Sequence, residues 1–126
     1  MMMNECINYY LSFFSEKSDF IKGEIHKCYE YWMPEYPPTL LLFALVGKSL
    51  VKQLDVFNAL DAKLIFQHIE EGMNSPCDEL ATAVATGLIE SMVTASDNDE
   101  TIWNKLENSM HVETKKHALA WKNFGQ

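Results

Sequence analysis

Nowhere along this chain do apolar and polar residues alternate with the period of two that a half-buried strand requires; apolar residues recur instead at spacings of three and four. That pattern leaves helix packed on helix as the way to bury a core. The length of 126 residues is enough for one such core. The sequence therefore predicts an all-α fold, a single domain over residues 1–126. About six or seven helices would pack as antiparallel neighbours, because the connections are short.

The most motif-like stretch is YPPTLLLFALVGKSLVKQL, Tyr36 to Leu54. Its Gly47-Lys48-Ser49 ends like a phosphate-binding loop, but that loop needs a glycine five residues earlier, where Leu42 stands. Its apolar run, Leu40–Gly47, is far short of the roughly 20 residues that span a bilayer. A core helix is the remaining reading. Pro37 and Pro38 open it, and Leu40, Phe43, Val46, Gly47, Leu50 and Leu54 give it a stripe that Leu41 and Leu42 widen.

Asn4–Phe14 reads as a short apolar helix. Ser18 and Asp19 can cap a second, carrying Phe20, Ile21, Ile25, Cys28, Tyr29 and Trp32. It ends before Pro34, since the residue ahead of a proline is pushed out of helix. Asn58 or Asp61 starts another, with Ala59, Ala62, Phe66, Ile69 and Met73 on one side, and Asn74-Ser75-Pro76 stops it. Asp78–Thr94 is apolar around most of its circumference, as in a central buried helix; only Glu79, Thr82, Thr86 and Glu90 gather on one side. Gly87 in its middle costs about 1 kcal/mol of helix propensity relative to alanine, which predicts a close helix contact there. Ala95–Glu100 reads as a polar loop, followed by helices over Thr101–Met110 and His111–Phe124, the last with His117, Trp121 and Phe124 on one face.

The opening MMMNECINYYLSFFSEK has neither the cationic region nor the small-residue cleavage site of a secretory signal, which predicts a cytoplasmic protein. Cys6, Cys28 and Cys77 are odd in number and widely spaced, as expected of free, mostly buried thiols in a reducing compartment.

Charge is unevenly distributed. Between Asp55 and Glu100 ten acids face Lys63 alone, a balance of −9 within a chain of net −8. The chain has no arginine, the usual residue for bidentate phosphate and base contacts. Nucleic acid is therefore not an expected partner; an acidic surface repels a phosphate backbone and attracts a basic protein.

Catalytic patterns are weak. The four histidines, His26, His68, His111 and His117, form no His-Glu-x-x-His zinc motif and no Glu-x-x-His pair, and no Gly-x-Ser-x-Gly elbow occurs. Glu113 and His117 stand one helical turn apart and can hydrogen-bond, though His117 reads better as a packing residue beside Trp121. His68, close to Glu70 and Glu71, is expected on the polar side of its helix. The sequence argues against an enzyme and asks for no metal or cofactor.

Three stretches, YWMPEYPPTLLLFALVGKSLV (Tyr31–Val51), VATGLIESM (Val84–Met92) and KKHALAWKNFG (Lys115–Gly125), carry a family resemblance. Together they resemble a family of small all-helical bacterial proteins that includes immunity proteins of contact-dependent growth inhibition and related polymorphic toxin systems. The resemblance implies a cytoplasmic neutraliser of a delivered C-terminal toxin domain. Such a toxin is commonly a nuclease, often one that cuts tRNA, and binding occludes its active or substrate-binding surface. The matching residues are core and turn residues, so the resemblance assigns no contact surface. From charge alone, the expected contact set is Glu70, Glu71, Asp78, Glu79, Glu90, Asp97, Asp99 and Glu100, around Leu60 and Leu64 as apolar centre. The partner would be a basic toxin domain, with neither membrane nor nucleic acid bound. The other reading is a small acidic helical adaptor or regulator with no toxin partner.

Overall fold

Local chemistry sets most of the helix boundaries. The computed structural model describes residues 5–124. Helix α1 runs Glu5–Lys17, α2 Asp19–Trp32, α3 Thr39–Lys52 and α4 Ala59–Met73. A longer helical rod follows: α5 (Asp78–Thr82), a π-helical segment (Ala83–Ile89) and α6 (Glu90–Ala95). Helices α7 (Glu100–Ser109) and α8 (Val112–Lys122) close the chain. Among the described residues the structure is all-helical, as the periodicity predicts.

Ser18 Oγ accepts the Ile21 N–H at 3.1 Å and starts α2. Asn58 Oδ1 accepts the Asp61 N–H at 2.8 Å and starts α4. Asp99 Oδ1 takes the Thr101 and Ile102 N–H groups at 3.0 and 3.2 Å and starts α7. Each satisfies amides that the first turn of a helix leaves open.

The centre of the molecule is the crossing of α3 with the π segment and α6. Phe43, Val46 and Leu50 of α3 meet Val84, Leu88, Ile89 and Met92 in one fully enclosed cluster. Both helices present glycine where they touch. A Cβ on Gly47 would collide with the Leu88 carbonyl oxygen and lie 3.1 Å from Ser91 Cβ; one on Gly87 would lie 2.7 Å from Phe43 Cβ and 3.1 Å from the Leu40 oxygen. The close contact expected at Gly87 is present. The Ser91 hydroxyl donates to the Ala44 carbonyl across the same crossing at 2.7 Å.

Four expectations are corrected. Leu40 and Leu41 do not join the buried stripe of α3; both are exposed, while Leu42 is buried as expected and Ser49 is buried with it. The rod packs over the Phe43–Val46–Gly47–Leu50 side of α3, so its first turn stands partly free. On α8 the enclosed residues are Thr114 and Ala118, while Trp121 and Phe124 stack on each other at 5.8 Å near the surface. His68 is not on a polar face; it lies half-buried, with Tyr10 and Phe13 ring centroids each 4.1 Å away. Finally, Cys6 and Cys77 are joined as a disulfide across 71 residues, where free thiols are expected, and Cys28 alone is free. Sequence spacing carries no information about such a long-range pairing. In a reducing compartment the two sulfurs would lie side by side as thiols.

Candidate partner-binding surface

The acids of the middle third divide into those with an internal role and those without one. Glu70 is the most committed. Its Oε2 accepts the Glu113 N–H at 2.9 Å, and its Oε1 accepts the Thr114 N–H at 2.9 Å and the Thr114 hydroxyl at 2.8 Å. The residue thus caps α8 from a different helix, which no residue beside the α8 N-terminus does: His111 makes no side-chain cap. Burial alone would push the Glu70 carboxyl up, but the hydrogen bonds from Thr114, Glu113 and Asn74 outweigh it and hold the carboxyl below its ordinary value.

Glu90 is also engaged. His117 Nε2 stands 2.9 Å from Glu90 Oε2 and donates to it, since a carboxylate can only accept. The Glu113–His117 bond is not the one formed; Glu113 pairs with Lys116 at 3.3 Å. Asp99 is spent on its cap, and Asp97 lies 3.9 Å from Lys122. Asp55 pairs with Lys105, and Asp61 with Lys17 at 3.5 Å. These pairs hold helices together, so Glu70, Glu90 and Asp99 are structural residues first.

Glu71, Asp78, Glu79 and Glu100 remain. All four are exposed. None has an ion pair or side-chain hydrogen bond among the described residues. Glu71 lies in the last turn of α4, and Asp78 and Glu79 begin α5, so three acids flank the α4–α5 corner, none with an ion pair among the described residues. Leu60 is 64% exposed at the other end of α4, and Leu64 is half-buried. Leu60 and Glu71 are eleven residues, about three turns, apart on one side of the helix, a span of roughly 16 Å. The sequence-predicted set is therefore brought together only in part: the α4–α5 corner, with Leu60 along the same helix. Glu100 begins α7, away from that corner in sequence.

His68 sits on α4 three residues before Glu71. Its Nε2 is 3.0 Å from the Tyr10 carbonyl and donates to it. Burial pulls the imidazole below its ordinary value; the hydrogen bond to Tyr10 and the charge of Glu71 oppose the shift without cancelling it. Both perturbed groups thus prefer the high-pH side. A base with a depressed folded value contributes stability that is full above its unfolded value, near 6.5, and lost as pH falls through the folded one. Glu70, depressed below 4.5, does the same at lower pH. Thermal unfolding measured against pH should show a plateau above neutrality, a first decline below about pH 6.5 and a second below about pH 4.5. His68→Gln should remove the first decline, because an amide has no proton to gain in this range. A stability that rises between pH 6.5 and 5 would contradict this assignment.

Among the described residues no group of three or more His, Cys, Asp or Glu is placed to hold a metal ion. No helix there is long and apolar enough to cross a membrane. Sequence reasoning also missed an exposed apolar surface on α2 and α3, with Tyr31 on one and Leu41 on the other. Its signal was present: α2 carries more apolar residues than one helix face can bury, and only Ile21 is enclosed. No protein-family model, no curated protein and no solved structure matches the chain.

Proposed function

We propose that the protein is a cytoplasmic immunity protein that binds and neutralises a basic toxin domain of a contact-dependent growth inhibition system. The toxin would be a nuclease, and binding would occlude its active or substrate-binding surface. The observation that carries this reading is the α4–α5 corner, where Glu71, Asp78 and Glu79 are exposed and uncompensated. A protein that spent all its acids on internal pairs would offer a cationic partner little. The resemblance of Tyr31–Val51, Val84–Met92 and Lys115–Gly125 to immunity proteins supports the same reading. Complementary charge speeds encounter more than it adds affinity, which suits a neutraliser that must capture a toxin before it cuts.

The test is association with the C-terminal toxin domain encoded beside it. With Glu71, Asp78 and Glu79 all changed to lysine, the association rate at low salt should fall by about ten- to a hundredfold, with helicity unchanged. The same variant should lose most of the salt dependence. An unchanged rate at low salt removes this corner from the interface. No binding by the unaltered protein, with both partners folded, removes the immunity reading.

A further inference from the structure

An open apolar groove of about 600 Å³ runs between α2 and α3. Cys28 and Trp32 of α2 and Ala44 and Leu45 of α3 line it as half-buried residues. Tyr31 and Leu41 border it at 83% and 48% exposure. Burial in the core accounts for Ile21, with Ile25, Cys28 and Tyr29 partly buried against it, and does not account for Tyr31 or Leu41. A contiguous apolar surface left in water marks an interaction site more often than chance.

The charge of the groove is opposite to that of the protein. Lys27 stands on the α2 side and Lys48 on the α3 side, against the single acid Glu24. Lys27 bridges Glu24 at 3.1 Å, and Lys48 makes no ion pair among the described residues. A cation on each helix beside an apolar channel suits an apolar stripe with acidic flanks. The channel is open along one side and walled by two helices. A small ligand would be left half in water there, whereas a third helix laid over the channel would cover it.

We infer that the α2–α3 groove docks an amphipathic helix of a partner protein, with apolar residues at i, i+4 and i+7 and aspartate or glutamate beside them. This surface is distinct from the acidic α4–α5 corner and does not depend on the toxin reading. It would accept an acidic segment where the corner accepts a basic one.

The test uses a phage-displayed library of randomised helical peptides, panned against the full chain. The expected outcome is enrichment of helices whose apolar stripe is flanked by acids. Their affinity should fall about tenfold or more for Tyr31→Ala/Leu41→Ser, two exposed positions whose change leaves the helical signal intact. Lys27→Glu/Lys48→Glu should turn the selection toward basic flanks. The Lys variant of Glu71, Asp78 and Glu79 should bind the selected helices as the unaltered protein does. No enrichment over the Tyr31→Ala/Leu41→Ser variant, or enrichment of basic flanks by the unaltered protein, overturns the proposal. Sedimentation that shows a dimer, abolished by that same double variant, also overturns it and gives the groove to a second copy of the chain.

Discussion

Gly47→Ala lowers the free energy of unfolding by about 3 kcal/mol, while Gly23→Ala raises it by about 0.5–1 kcal/mol. Both glycines lie inside helices, so propensity alone predicts the same sign for both. Space decides the difference. A Cβ at Gly23 meets nothing within 4 Å. A Cβ at Gly47 runs into the Leu88 carbonyl oxygen, and backbone cannot swing aside as a side-chain tip can. The rod must back away from α3, and Phe43, Val46 and Leu50 lose close packing with Leu88 and Met92. Domains of this size hold about 5–15 kcal/mol in all, so the loss is a large part of the total. Urea unfolding of the two variants side by side measures it. A cost below 1 kcal/mol at Gly47 would mean that the helices separate freely there, contrary to the crossing described.

Glu70→Ala has the second large effect, a loss of about 2–3 kcal/mol. The carboxylate receives two first-turn amides of α8 and a hydroxyl, and hydrogen bonds to charged groups are the stronger kind. Thr114 is fully enclosed, so its hydroxyl has no water to turn to when Glu70 is gone. Glu70 itself is half-buried, and solvent reaching its place limits the loss. Glu70→Gln recovers less than half, because the amide nitrogen presents a donor where the amides of α8 also donate. Hydrogen exchange should locate the damage, with α8 losing protection and α1 keeping it. Uniform loss over both helices would show that Glu70 supports the whole fold and is not a cap. The decline in stability below about pH 4.5 should also shrink in the alanine variant.

Helices were legible because their signals are local. Ser18, Asn58 and Asp99 cap from adjacent positions, and prolines at 34, 37 and 76 stop what precedes them. The close approach at Gly87 was legible because a glycine inside an apolar helix needs a reason. Gly47 was not, since it stands within a stripe that already accounts for its place. The face of α3 was read rightly at Phe43, Val46, Gly47 and Leu50 but too widely at its start: three consecutive leucines fit several stripes, and only the partner helix selects Leu42 over Leu40 and Leu41. Charge count found the acidic third but could not sort it. Glu70 and Thr114 are 44 residues apart, and Glu90 and His117 are 27 apart. Those bonds exist only after folding, so composition treats a capping carboxylate and an idle one alike. The aromatic sandwich of His68 was hidden for the same reason, as its partners come from α1.

The exposed groove side of α2 has an evolutionary meaning. Ile21 is its one enclosed residue, and Ile25, Cys28 and Tyr29 are partly buried against the core, which leaves the groove-side positions Lys27 and Tyr31 exposed. Substitutions at those exposed positions alter the groove and leave the central crossing untouched. Specificity on that side can drift, or be selected for a new partner, at little cost to foldability.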